Sequence, residues 1–213
     1  MFLFNNTSVT GNFINKASNN SIRDFTILKS FNVNIHHPKV PSITEVIWRP
    51  PLYHWIKCNS DGASLGNPGV SSCGGIFRDF EGTCLGCFAE PLGILTSYQA
   101  ELCGALRAIE VAADNHWNNL WLETDSMLVV QAFKNSSLVP WLLRNRWNNV
   151  QITLTSLNCI VTHVFREGNQ VADSLANFGL SLNHYEFWSN VPLFARESYV
   201  RNKIGLPNFR LSS

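Results

Sequence analysis

The sequence predicts an α/β fold on a five-stranded mixed sheet, three antiparallel strands and then parallel ones, with helices on both faces in the order βββαβααβα. Three observations predict it. Residues 55 to 89 hold three runs of strand character separated by glycine-containing turns. Residues 96 to 115 and 169 to 182 carry apolar residues at helical spacing. Two more apolar runs, Leu120 to Thr124 and Cys159 to Phe165, alternate with helical segments, and strands separated by helices are the pattern of a parallel pairing.

Each element has its own signal. Trp55-Ile56-Lys57-Cys58-Asn59-Ser60-Asp61 alternates apolar and polar residues as a first strand, and Gly66-Asn67-Pro68-Gly69 is its exit turn. Gly74 to Arg78 and Cys84 to Ala89 follow as strands, joined through Asp79-Phe80-Glu81-Gly82. Thr96 and Gln99 have the spacing of a capping box, and Leu102, Leu106, Ile109 and Ala113 carry the helix to Asn115. Ser126 can cap a helix running through Phe133. Trp141 to Leu157 reads as a further helix with Leu142, Trp147, Val150 and Leu154 on its apolar side. A closing helix from Asn169 places Val171, Leu175, Phe178 and Leu182 on one stripe.

Around this core the domain plan is simple. Residues 1–50 are rich in Asn and Ser and end in Trp48-Arg49-Pro50-Pro51, so they read as a poorly ordered leader and proline linker. Residues 51–182 form the domain, and 183–213 are an extension expected to pack on its surface. A chain of 213 residues with 45% apolar composition can bury one full core. A net charge of +1 excludes a globally basic polyanion binder, so any hold on nucleic acid must be local. Six cysteines within probable strands and helices suggest reduced thiols of an intracellular protein, in nucleus or cytoplasm. Cys84 and Cys87 lack a second pair at zinc-ribbon spacing, which argues against structural zinc. The apolar start Met1-Phe2-Leu3-Phe4 is too short for a signal peptide, and no membrane partner is expected.

Four acids stand out by position. Asp61 and Asp125 follow the carboxyl ends of two strands, and parallel neighbours set such ends side by side. Glu101 lies in the early turns of one helix, and Asp173 shares a helical face with Asn169, so both can project over the same edge. Like charges about 4 Å apart repel by roughly 4 kcal/mol near a protein surface, so stability alone does not gather them. Divalent cations offset that repulsion, and Mg²⁺ favours carboxylate oxygens in an open site that can also take phosphate. Taken singly each acid is more often a cap or turn residue, Asp125 before Ser126 above all.

The segments around these acids resemble type 1 ribonuclease H in sequence order: Asp61-Gly62-Ala63-Ser64-Leu65-Gly66-Asn67-Pro68-Gly69, Gly74-Gly75-Ile76-Phe77-Arg78-Asp79, Ala100-Glu101-Leu102, Glu123-Thr124-Asp125-Ser126 and Arg166-Glu167-Gly168-Asn169-Gln170-Val171-Ala172-Asp173. The resemblance spans residues 55 to about 182. It implies a ribonuclease-H-like fold and hydrolysis of the RNA strand of RNA–DNA hybrids by two-metal chemistry. Asp61, Glu101, Asp125 and Asp173 would be the catalytic metal ligands for two Mg²⁺ or Mn²⁺ ions. Substrate contacts would come from Gly66, Asn67, Ser97, Arg166 and Asn169. The implied partner is the hybrid or another nucleic acid, met by a monomer.

The chain departs from bacterial members in several places. The loop Phe165-Arg166-Glu167-Gly168-Asn169 is short and lacks the family's histidine; His163 lies in the last strand, where a sheet role is preferred to proton transfer, and Arg166 is the charge left in the loop. Met127 replaces a glutamine common after the third acid, and a basic insertion is missing between Lys134 and Trp141. This short-loop form resembles plant proteins related to non-LTR retroelements, where the domain often follows a reverse transcriptase, so that enzyme is the expected protein partner and the chain a retroelement piece or a domesticated product. The alternative is a non-catalytic nucleic-acid or interaction module. A serine hydrolase is set aside for want of a nucleophile elbow. Trp117, Trp121, Trp141 and Trp147 are read as core residues rather than base-stacking ones.

Overall fold

The computed structural model describes residues 22–32 and 42–212; most of the leader read as poorly ordered, 1–21 and 33–41, lies outside the described residues. A short helix α1 (Ile22–Ser30) belongs to one compact unit, and residues Thr44–Arg210 form the other, which carries every site residue. Strands β1 (Ser42–Val46) and β8 (Asn208–Ser212) pair in a two-stranded sheet.

The alternating run at residue 56 becomes β2 (Ile56–Gly66), which turns into β3 (Gly69–Arg78), and β4 (Cys84–Leu95) completes an antiparallel meander. The turn chemistry is explicit at the second bend. Asp79 Oδ1 accepts from Glu81 N at 2.9 Å and Thr83 N at 2.8 Å, and Gly82 takes a φ of 71°. Helix α2 (Ser97–Asp114) starts on the capping box: Thr96 Oγ1 accepts from Gln99 N, and Gln99 Oε1 accepts from Thr96 N. β5 (Asn119–Thr124) pairs parallel with β2, and β6 (Asn158–His163) parallel with β5. Helices α3 (Met127–Lys134) and α4 (Arg144–Leu154) lie between them in sequence, and α5 (Gln170–Gly179) follows β6.

Both faces of the sheet are covered. Cys58, Phe77, Phe88, Leu120 and Leu122 meet Leu102, Leu106 and Ile109 of α2 with Val129 and Trp147 of α3 and α4 on one face. Ile76 and Cys87 meet Val171 and Leu175 of α5 with Ala195 on the other. Each fully buried Leu, Ile or Phe is worth about 1.5–3 kcal/mol, so these two layers hold the sheet in place.

Three expectations need correction. The five strands gain a sixth: β7 (Glu186–Trp188) adds antiparallel to β4, giving the order β6-β5-β2-β3-β4-β7, and α6 (Arg196–Lys203) follows it. A three-residue strand in aromatic sequence carries no readable period, so the sequence of 183–213 predicts only an extension. The helix expected from Trp141 begins at Arg144 after a 3₁₀ turn, Trp141–Leu143, that follows Pro140. That turn shifts the phase, so Leu143 is buried while Trp141 and Leu142 are 86% and 65% exposed; Trp141 is not core. Finally, Trp48 belongs to the domain rather than to a linker, since it is buried against the Arg78 guanidinium at 3.7 Å.

Candidate active site

Register brings the first two acids together. Ser60 faces Thr124 where the parallel β2–β5 pairing ends, so the next residues, Asp61 still within β2 and Asp125 just past β5, lie side by side. Glu101 is added by the approach of α2 to β2. A Cβ on Gly62 would lie 2.2 Å from Glu101 N, and one on Gly104 would lie 2.8 Å from Asp61 O, so two missing side chains let the helix backbone pass this close. On the other face, a Cβ on Gly74, the partner of Asp61 in β3, would strike Ala176 N at 2.5 Å, so α5 is seated as tightly.

The result is a trio. One carboxylate oxygen from each of Asp61, Glu101 and Asp125 lies within 4.8 Å of the others, the one such group of three among the described residues. Asp61 is 5% exposed, its Oδ1 accepting from Gly62 N at 2.8 Å. Glu101 Oε2 is buried with no protein hydrogen-bond partner. Burial first, and then the Asp125 charge, drive the Asp61 carboxyl far above the usual range. Burial, then the Asp61 and Asp125 charges, do the same to Glu101. Burial also raises Asp125. Three crowded carboxylates, one of them with an oxygen that no protein donor meets, fit a divalent cation.

Asp173 is placed differently from the other three. It sits in the first turn of α5, outside the trio, and pairs with Arg166 at 3.2 Å, although its charge is felt at Asp61 and Asp125. His163 does not reach the carboxylates. Its Nε2 lies 3.1 Å from the Asp125 carbonyl, an acceptor, so that nitrogen donates and anchors the backbone of the acid.

Of the residues expected to touch substrate, Gly66, Asn67, Ser97 and Arg166 are exposed. Asn67 Oδ1 accepts from Ser97 N at 3.1 Å, tying the β2–β3 turn to the start of α2. Asn169 is corrected. It is 1% exposed, with Nδ2 donating to Ser60 O at 3.0 Å and to Asp125 Oδ1 at 3.3 Å, so it braces the site from within.

Sequence reading missed what lies behind Asn169. Lys57 and Asn59, on the polar side of the alternation in β2, are 1% and 0% exposed. Lys57 Nζ pairs with Glu123 Oε1 at 2.9 Å, donates to Arg49 O at 2.8 Å and sits 3.5 Å over the Trp121 ring. Arg78 is equally buried. Three buried polar residues on neighbouring strands were the available signal, invisible until the strands were paired.

The raised carboxyls predict a pH dependence. A group whose folded pKa exceeds its unfolded one contributes stability that is full below the unfolded value and lost as pH rises through the folded value. Metal-free protein in EDTA is therefore expected to lose melting temperature from about pH 5 upward through neutrality, and added Mn²⁺ to restore it more at pH 8 than at pH 5. Differential scanning calorimetry checks both; a metal-free melting temperature that climbs over that range contradicts the electrostatic account.

A family model described as reverse transcriptase-like matches residues 59–179. The Arabidopsis thaliana "Putative ribonuclease H protein" is 35% identical over 155 residues, 71% of this chain and 24% of that protein. Ribonuclease HI of Halobacterium salinarum is 33% identical over 122 residues, 56% of this chain and 61% of that one. The chain thus spans less than two thirds of the length of either curated relative. The crystal structure of RNase H1 from Halobacterium salinarum superposes with a TM-score of 0.53 at 31% identity, covering 60% of this chain and 98% of that chain.

Proposed function

The chain belongs to the type 1 ribonuclease H family, and from that membership we propose that it is a metal-dependent endonuclease hydrolysing the RNA strand of RNA–DNA hybrids. The observation that carries the proposal is the buried trio of Asp61, Glu101 and Asp125, held within 4.8 Å against their own repulsion. No stability argument accounts for it, because each charge raises the cost of the next.

Asp61 and Asp125 are the principal ligands, Glu101 offers its orphaned Oε2, and Asp173 stands at the rim as the fourth acid. When bound there, a pair of divalent ions, Mg²⁺ or Mn²⁺, supplies activation of a water and charge stabilisation at the leaving oxygen. The protein does the rest. Gly62 and Gly104 fix the distance between Glu101 and Asp61, and Asn169 holds Asp125 by one oxygen. Arg166, with a side chain 75% exposed, is available to meet a phosphate beside the acids. Asn67 spends its carbonyl on Ser97 N, which leaves its NH₂ for an acceptor such as a 2′-hydroxyl or phosphate oxygen. A wide, shallow minor groove displaying 2′-hydroxyls suits such a turn, and favours a hybrid over DNA. A reverse transcriptase, which produces such hybrids, is the protein partner we propose.

The test is a digestion series on end-labelled hybrid, double-stranded RNA and double-stranded DNA, each with Mg²⁺ or Mn²⁺. The expected result is cleavage of the RNA strand of the hybrid alone. Failure on all three with both metals would leave a nucleic-acid-binding module.

A further inference from the structure

The buried polar cluster of Trp48, Asn59, Arg78, Glu123 and Asn169 contains a chain of hydrogen bonds whose direction is fixed. Asn59 on β2 is fully buried. Its Oδ1 accepts from Trp48 Nε1 at 2.9 Å and from Arg78 Nη2 at 2.7 Å. Indole and guanidinium are donor-only groups, so the oxygen end of this amide is pinned. Its Nδ2 must then point away, and it donates to Glu123 Oε2 at 3.2 Å and to Asn169 Oδ1 at 3.3 Å. That pins the second amide in turn, leaving Asn169 Nδ2 to donate to Ser60 O at 3.0 Å and Asp125 Oδ1 at 3.3 Å. Neither amide can flip without setting its NH₂ against another donor.

We propose that Asn59 is a positioning residue: oriented by Trp48 and Arg78, it holds Asn169 so that a donor always faces Asp125 and fixes that carboxylate for its cation. The proposal rests on the nuclease reading above. It makes the Trp48 and Arg78 side chains part of the site's support, acting through Asn59 and Asn169 rather than on the acids. Loose carboxylates bind cations less well, and removing an orienting partner of a metal ligand costs about 10–100-fold in affinity or activity. A purely structural Asn59 would instead show its loss in folding stability, with metal affinity unchanged.

The variant Asn59→Asp separates these roles. It keeps the acceptor for Trp48 and Arg78 and loses both donors. It also sets a carboxylate oxygen where Nδ2 now meets Glu123 Oε2 at 3.2 Å, a repulsion that Lys57 and Arg78 offset in part, so the fold is expected to persist with a lowered melting temperature. Titration calorimetry with Mn²⁺, run well below that melting temperature, is expected to show affinity at least about tenfold below the full native chain, with kcat on hybrid reduced and KM unchanged. Native affinity and kcat in folded Asn59→Asp overturn the proposal. Should that variant not fold, the double variant Trp48→Phe/Arg78→Lys, which keeps one donor-only partner of Asn59, is expected to keep Mn²⁺ affinity, while Trp48→Phe/Arg78→Gln, which keeps none, is expected to lose about tenfold. Equal affinities for those two overturn it as well. A native chain that binds no Mn²⁺ overturns the nuclease reading itself, an outcome distinct from native binding that the variants leave unchanged.

Discussion

Asp125→Asn is expected to lower the rate of hybrid cleavage by more than about a hundredfold while the protein stays folded, a loss beyond that of removing a ligand's outer partner. Asn presents a neutral oxygen where a cation needs a charged one, and it takes one charge out of a crowd of three. The carboxyl of Asp125 is raised by burial, so neutralising it should leave the metal-free protein at least as stable at neutral pH. The expected signature is lost turnover and lost Mn²⁺ binding with a melting temperature equal to or above the native one. Steady-state kinetics, titration calorimetry and thermal unfolding measure the three. Turnover that survives the substitution would remove Asp125 from the metal site.

The largest effect on folding is expected at Lys57→Met. The Lys57 and Glu123 side chains are 2% and 11% exposed, so the pair is shielded from water, and burial pulls the lysine pKa down even as Glu123 pulls it up. Methionine keeps the length of the stem over Trp121 and removes the charge, which leaves Glu123 with the Asn59 amide as its hydrogen-bond donor and Arg78 as the nearby cation. Breaking one side of a buried pair costs about 3–5 kcal/mol, and for a chain of this size that lowers the melting temperature by roughly 6–20 °C. Adding Glu123→Leu should recover part of the loss, because an apolar pair of similar volume is often neutral. Chemical denaturation of single and double variants checks the order; a single variant within 1 kcal/mol of the native protein would mean that water reaches the pair.

How much of this was legible in the sequence depends on whether the signal was local. The capping box at Thr96 and Gln99, the Asp79 to Gly82 turn and Asp125 at the end of β5 are short-range patterns, and they stand where the sequence set them, whereas Asp61, read as a strand end, lies within β2, which runs on to Gly66 through its pairing with β3. The polar positions of β2 misled for a physical reason. Alternation separates two faces but does not say that both are covered, and the Trp48–Arg49 segment and Asn169 cover the one carrying Lys57 and Asn59. Asn169 was placed among substrate contacts because the family resemblance supplied a role and the sequence could not supply burial. Arg166 and Asp173, seven residues apart across a loop and a helix start, pair only once the short 3₁₀ turn Arg166–Gly168 sets their separation. Trp141 escaped the core because Pro140 and a 3₁₀ turn shifted the helix phase.

The claim on which the rest depends is that Asp61, Glu101 and Asp125 share a divalent cation. Crystals of the native chain soaked in Mn²⁺ and measured at the manganese edge test it most directly. An anomalous peak bracketed by those three carboxylates, absent from Asp125→Asn crystals treated alike, is the predicted result; no peak there at millimolar Mn²⁺, or an unchanged peak in the variant, would contradict it.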